Sequence, residues 1–338
     1  MDHSTNGRLV LPSAPLSRTE RARPPESRAF PAYSIFHEPW WLDCVAPGAW
    51  SEVQVAPGDG ATARWPFYLR RRWGLLISTQ PPLTRTLGPV LRLARGEPIT
   101  DFRRRLRLTN ALISQLPRTH LFQQTFDPRI NEAVAFRVLG FSADTAYTFR
   151  IEPGRTQDDV WSRMTDKTRN VIRRATEQVD VFPIDDPEMF CSFYESNLAA
   201  AGRPNMYGTA TMRRLTDAFM ERGAGRLLGA RTTDAGLVAA IALVFDAETT
   251  YFLLSSRTPA AHSGAISLLL WRAICWSLLD KRGFDFDGIA SPSILQFLSG
   301  FGGTLVPRLV VERTTSLYDS ARLFRRVLAR GGQAQHPI

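Results

Sequence analysis

The sequence predicts a mixed α/β (α+β) fold, with mostly antiparallel sheets flanked by helices and one parallel pair of strands. Three observations carry this expectation. Residues 251–256 are aromatic and apolar, and a small-residue turn follows them. A helix then places Ile266, Leu269, Leu270, Ala273, Ile274 and Leu278 at 3.6-residue spacing and leads to a second strand, Phe284-Asp285-Phe286-Asp287-Gly288. Two strands joined by a crossover helix are almost always parallel and right-handed. Ahead of this unit, residues 226–231 and 237–245 form strands of an antiparallel meander. The first half of the chain shows a weaker version of the same order, as a duplicated domain would.

Taken from the start, residues 1–30 carry Pro12, Pro15, Pro24 and Pro25 among charges and hydroxyls, which reads as a disordered tail. Phe36, Trp40 and Trp41 anchor a first helix over 36–42. Strands are expected at 51–56, 62–69 and 73–79, separated by Pro57-Gly58-Asp59-Gly60 and by Arg70-Arg71-Arg72. Connections this short favour antiparallel pairing. A helix over 100–116 turns Leu106, Ala111, Leu112 and Leu116 inward, and strands at 119–126 and 146–151 close the first half. After Pro153-Gly154-Arg155, one helix spans 156–177, opened by Thr156 with Asp158 and Asp159 in its first turn. Helices over 187–201 and 209–222 flank the loop from Gly202 to Gly208, and a last helix covers 320–330.

Composition bounds the function classes. A chain of 338 residues, 44% hydrophobic and 22% charged, suits two globular domains of ordinary size. The formal charge is +10, yet Lys167 and Lys281 are the only lysines. So strong an arginine bias reads as a habit of composition rather than as a polyanion surface, and DNA is not an expected partner. Cys44, Cys191 and Cys275 lack any C-x-x-C spacing and suit buried positions in a reducing compartment. His3, His37, His120, His262 and His336 form no paired ligand motif, so no metal is expected. Neither a secretory signal nor an apolar run of about 18–20 residues appears, which leads to the expectation of a cytoplasmic chain.

The crossover unit carries the chemistry. N–H groups at the start of its helix can hold a pyrophosphate or carboxylate, which implies a nucleotide-bearing donor. Asp285 and Asp287 alternate with Phe284 and Phe286, so both acids face one side of the strand. Asp287 lies at the C-terminal end, where parallel-sheet sites sit, and is the favoured general base. The plain alternative is that one acid caps the following loop and the other pairs with arginine.

Several motifs in order give the chain a family resemblance. Trp161-x5-Lys167-x-Arg169-Asn170-x-Ile172-Arg173-Arg174-Ala175, the 284–288 segment and Phe297-x3-Phe301-Gly302-Gly303 resemble the Fem-type peptidoglycan aminoacyltransferases. Pro39-Trp40-Trp41-Leu42-Asp43, Gln80-Pro81-Pro82-Leu83-Thr84 and Leu87-Gly88-Pro89 are more similar to related acyltransferases of polysaccharide-type gene neighbourhoods, within the GNAT superfamily. The resemblance covers residues 33–313 and implies tandem GNAT-like halves. These would be a degenerate domain over 31–152 and a donor-binding domain over 153–318, with a basic helix and tail over 319–338. It further implies that the donor's thioester lies in a splay between strands 251–256 and 284–288, with backbone N–H groups near Leu254 and Ser255 for the oxyanion. The pyrophosphate would sit on His262, Ser263, Gly264 and Ala265, with Gly264 allowing close approach and Arg257 adding a phosphate contact. The usual Q/R-x-x-G-x-G/A turn is degenerate here, and a plain cap by Ser263 is the alternative.

The resemblance implies N-acyl transfer from acyl-CoA as co-substrate to an amine on a small-molecule or lipid-linked sugar of the cell envelope or of polysaccharide synthesis. Asn205 and Tyr207 are the acceptor-side candidates. Enzymes of this type that use aminoacyl-tRNA carry a lysine directly after the first Phe of the last motif; here it is Leu298, which favours another donor. The basic run Lys167, Arg169, Arg173 and Arg174 keeps tRNA open as a partner. A non-catalytic protein that keeps the fold and binds a sugar, lipid head group or RNA is a further alternative. So is peripheral membrane contact through the last helix, with Leu323, Phe324, Val327 and Leu328 opposite Arg322, Arg325, Arg326 and Arg330.

Overall fold

A computed structural model describes residues 32–57, 61–93, 98–233, 236–259, 261 and 264–333. The tail expected over 1–30, and His262 and Ser263 of the expected turn, lie outside the described residues. In the first half, α1 (Pro39–Val45) is followed by β1 (Trp50–Val55), β2 (Thr62–Arg72), β3 (Leu75–Thr79) and β4 (Val90–Arg92). Then come α2 (Pro98–Gln115), β5 (Leu121–Thr125), α3 (Ala133–Val138) and β6 (Ser142–Ile151). The second half runs α4 (Gln157–Arg163), α5 (Asp166–Thr176), β7 (Asp180–Ile184), α6 (Pro187–Ala200), α7 (Thr209–Glu221), β8 (Gly225–Thr232) and β9 (Gly236–Phe245). It closes with β10 (Thr249–Arg257), α8 (Ala265–Leu279), β11 (Gly283–Gly288), α9 (Pro292–Ser299), β12 (Thr304–Thr314) and α10 (Ser316–Gln333).

The single helix expected over 156–177 is two helices. Met164 is extended, and the Thr165 side chain accepts the Thr168 N–H as the cap of α5. Arg169 reaches back and donates to the carbonyls of Trp161 and Ser162 at 3.2 and 3.1 Å, which satisfies the orphan end of α4. The sequence reading missed β4, α3, β7, α9 and β12. Pro183 in β7 and Pro307 in β12 remove ladder donors and argue against strands locally. In β7 the cost is small because that strand is an edge.

The strands form one continuous sheet in the order β1-β2-β3-β5-β12-β6-β11-β10-β9-β8-β7, with β4 attached to β2. The expected parallel pair is β10 with β11, and a second joins β3 to β5. At the centre, β6 and β12 pair antiparallel from Ser142↔Glu312 to Arg150↔Thr304. Each half lends a strand to the other. β6 follows β5 along the chain yet pairs with β11, whereas β12 follows β11 and pairs with β5.

Three large clusters fill the layers. Phe149, Ile151, Phe284 and Phe286 pack with α8 and with Ile172 and Ala175 of α5. Across the second-half sheet, Ala240, Ala242, Val244, Tyr251 and Leu253 meet α1, α6 and α7. In the first half, Trp65 is ringed edge-on by Phe122, Phe126 and Phe136, each 5.5–5.8 Å away.

The segment between β3 and β4 closes the first-half parallel pair. Pairing of β3 with β5 ends at Ser78↔Phe122. Beyond it, Leu87 forms a parallel bridge to Phe126, and its N–H donates to the Thr125 carbonyl at 2.8 Å. Only glycine fits next: Gly88 has φ +103°, and a Cβ there would lie 2.3 Å from the Phe126 ring.

His37 is fully buried, with Ser34 Oγ 3.0 Å from Nδ1 and Arg64 donating to its carbonyl at 2.7 Å. Burial, then the Arg64 charge, lowers its pKa from 6.5 to about 3. Its folded form therefore stays neutral while the unfolded chain takes up a proton below about pH 6.5. We expect stability to fall as pH drops from about 6.5 towards 3, and His37→Gln to flatten that slope in urea melts.

Candidate functional site

The parallel pairing of β10 with β11 stops at Tyr251↔Asp285, and a bulge in each strand lies just beyond. In β10 the register against β9 shifts between Phe252 and Leu254, which leaves Leu253 as the extra residue. In β11 the register against β6 shifts between Asp285 and Gly288. There Asp287 adopts φ +69°, a left-handed conformation that glycine usually takes and that aspartate tolerates better than most. The two strands diverge towards their C-terminal ends, where open α/β sheets place their ligands.

Backbone direction within the splay follows from alternation. The Thr258 N–H donates to Val238 in β9, so with period two the Leu254 and Ser256 backbone groups also face β9. Those of Ser255 face the splay. Of the two expected oxyanion donors, Ser255 is thus directed at the cleft and Leu254 is committed to the sheet.

The two acids face away from Phe284 and Phe286 as the alternation requires, but their surroundings differ. Asp285 is 1% exposed and fully engaged. Arg308 Nη2 lies 2.9 Å from both of its oxygens, Arg150 Nε is 3.1 Å from Oδ2, and the Asp287 N–H donates to Oδ1 at 2.9 Å. Thr148 Oγ1 sits 2.7 Å from both Asp285 Oδ1 and the Asp287 carbonyl, and its single proton serves one at a time. Such a carboxylate is an anchor between strands, held by two arginines and buried, and it is the less accessible of the two acids.

The side chain of Asp287 is 19% exposed. Its Oδ2 pairs with Arg85 Nε at 2.7 Å, and Oδ1 lies 3.9 Å from Arg308 Nη1. Burial raises its pKa above the usual carboxylate value, while Arg85 and Arg308 pull it down. Arg85 comes from the segment between β3 and β4 and also donates through Nη2 to the carbonyl of Leu253. Nothing in the sequence marked Arg85, Arg150 or Arg308, since arginine is too common in this chain to stand out.

The donor-side candidates divide. Arg257, exposed at the end of β10, borders an open groove of about 330 Å³ lined by Asn197, Ala200, Ala201, Thr258 and Pro259. The close approach at Gly264 is to α5: a Cβ there would meet the Val171 carbonyl at 2.7 Å and Ala175 at 3.0 Å. Ala265 is fully buried beside it. This glycine is therefore needed for helix packing whether or not a phosphate approaches.

On the acceptor side, Asn205 shapes its own loop, accepting the Tyr207 N–H at 3.1 Å and donating to Glu195 at 3.5 Å. Tyr207 packs on the second-half core near Tyr194, whose pKa burial raises and the charges of Arg85 and Arg203 lower. The basic run of α5 is partly spent on structure. Arg169 caps α4, and Arg173 stacks over the Trp161 ring at 5.6 Å. Leu298 is buried in the core. Gly302, at φ +72°, lies where a Cβ would meet the Arg163 backbone at 2.8 Å, so the Phe-Gly-Gly motif holds the α4–α5 junction.

Among the described residues no group of His, Cys, Asp and Glu is arranged to hold a metal ion. The three cysteines are free and buried, and burial pushes Cys191 up to about 11 and Cys275 up to about 12, so both are thiols at neutral pH. Among the described residues no helix is long and apolar enough to cross a membrane. In α10, Tyr318 is buried and stacked on Trp73, whereas Leu323 and Phe324 are exposed.

Residues 162–291 match the model of the acetyltransferase (GNAT) domain, from the end of α4 to the loop after β11. No curated protein is similar in sequence. Among solved structures, the crystal structure of FemX is similar over 84% of this chain and 93% of its own, with a TM-score of 0.61 at 10% identity. The C-terminal domain of a putative lysylphosphatidylglycerol synthetase from Agrobacterium fabrum is similar over 86% and 91%, with a TM-score of 0.51 at 12% identity. L-PGS from Bacillus licheniformis matches over the same shares with a TM-score of 0.51 at 9% identity. At such identities the likeness is one of fold.

Two substitutions test this geometry. Asp285→Ala leaves the buried Arg308 with only its longer contact to Asp287 and strips Arg150 of its carboxylate partner, and chemical denaturation should show a loss of about 3–5 kcal/mol. Gly264→Ala should cost about 1–3 kcal/mol by wedging α8 from α5, a loss read in thermal melts without any ligand.

Proposed function

Starting from a GNAT-type domain set in a Fem-like, GNAT-superfamily fold, we propose that the chain is an N-acyltransferase that uses acyl-CoA in the cytoplasm. The acceptor is an amine on a sugar of a cell-envelope or polysaccharide precursor, free or lipid-linked. The observation that carries this reading is the splay between β10 and β11, with Ser255 N–H on one wall and the Asp287 carboxylate on the other. The acceptor nitrogen attacks the thioester carbonyl, the C–N bond forms, and the Ser255 N–H receives the developing oxyanion. Collapse breaks the C–S bond and releases CoA as the thiol. Asp287 takes the ammonium proton, directly or through one water, and passes it to the departing sulfur.

Arg257 and the groove beside it are suited to the donor's phosphates, since a guanidinium offers two parallel donors to one phosphate. Leucine in place of lysine at position 298, inside the core, supports a thioester donor over aminoacyl-tRNA.

Calorimetry with acetyl-CoA and longer acyl-CoAs, beside turnover assays on a panel of amino sugars, tests the reading. Acyl-CoA should bind, and Arg257→Ala should weaken it about tenfold or more, in keeping with loss of a charge-assisted contact. Asp287→Asn should keep the donor and lose about 10²–10⁴ in kcat. Absence of binding by every thioester would overturn the donor assignment. Full turnover by folded Asp287→Asn would remove Asp287 as the base.

A further inference from the structure

Arg85 sits in the splay without belonging to either of its strands. Its segment is pinned on both sides. Leu83 and Leu87 are buried, Thr84 Oγ1 accepts the Trp41 indole N–H at 3.1 Å, and the Gln80 amide and Leu87 N–H both reach the Thr125 carbonyl. A rigid loop of the first half thus delivers one guanidinium to the two bulges of the second. Its Nη2 holds the carbonyl of Leu253, the extra residue of β10, and its Nε pairs with Asp287, the left-handed residue of β11.

We propose that Arg85 is a positioning residue for acyl transfer, a strut from the first half that ties the β10 bulge to the β11 bulge and so sets the width of the splay and the aim of the Asp287 carboxylate. The chemistry favours arginine, because a planar fork addresses a carbonyl and a carboxylate at once, whereas an ammonium is a single point charge. The main-chain ladder cannot do this work: β10 and β11 share no pairing beyond Tyr251↔Asp285.

The inference rests on Asp287 as the base, and it carries a pH signature. The groups that act on Asp287 are Arg85 from the loop, Arg308 from β12, and Asp285 with the Gly288 N–H from its own strand. Arg150 and Thr148 of β6 act through Asp285. Removing the Arg85 charge takes away one of two stabilising cations, so the Asp287 pKa rises and the acidic limb of kcat/KM moves to higher pH.

The test compares Arg85→Gln and Arg85→Lys with the full wild-type chain by kcat/KM against pH, thermal melting, and amide hydrogen exchange at Leu253–Ser255 and Asp287–Gly288. Arg85→Gln should lower kcat about 10–10³-fold, as misplacement of a reacting group does. It should shift the acidic limb upward and raise exchange at both bulges while the rest of the sheet stays protected. Arg85→Lys should keep the limb near its wild-type position and still lose rate. A folded Arg85→Gln with wild-type rate, limb and exchange overturns the proposal. So does a melting loss with the limb unmoved and exchange raised throughout the sheet. Asp287→Asn decides the base separately: if it is active while Arg85→Gln is slow with raised exchange, the base is elsewhere, the aiming of Asp287 is overturned, and only the role of Arg85 in setting the width of the splay is upheld.

Discussion

The structure depends on one buried carboxylate. Asp285 lies on β11 at the point where the strands exchanged between the halves run alongside each other. It gathers Arg150 from β6, Arg308 from β12 and the hydroxyl of Thr148. An isolated charge at that depth is prohibitively unfavourable, so each partner is required once the carboxylate is there. Side chains change face with a one-residue slip, and any such slip in β6 or β12 would turn these partners to the opposite layer. The ion cluster is thus a register device, and the splay above it inherits its geometry.

Much of the second half was legible in the chain. The apolar spacing of α8, the basic end and Gly283 behind it, and the alternation of Phe284 and Phe286 with two acids all obey simple periods. What escaped has physical causes. Pro183 and Pro307 disguise β7 and β12. Thr165-Asp166, a cap with an acid behind it, is a helix start hidden inside a long helical pattern. The exchange of β6 and β12 pairs residues more than a hundred positions apart, and no local pattern records it.

For the site, the sequence indicated a strand end and an acid but not the acid's company. Period two places Asp285 and Asp287 on one side and cannot say that one is encased while the other is partly open. That difference arises from Arg85, Arg150 and Arg308, three among 42 basic residues. The motifs behind the family resemblance prove largely architectural: Gly302 clears the Arg163 backbone, Arg169 caps a helix, and Leu298 fills core. Resemblance in such positions speaks for a shared framework, and chemistry is decided by the few groups at the splay.

The exchange of strands also bears on how the chain is made. During synthesis the first half emerges with β5 lacking the neighbour that covers its free edge, because that neighbour is β12, residues 304–314. In the same interval β6 waits for β11 and β12 with its own edges bare. Unpaired edges and long-range pairing slow folding and invite association with other chains. The nascent protein therefore cannot finish one half and move on to the next. Its sheet closes only once β12 is available, and until then the edges of β5 and β6 stay open to pairing with other chains.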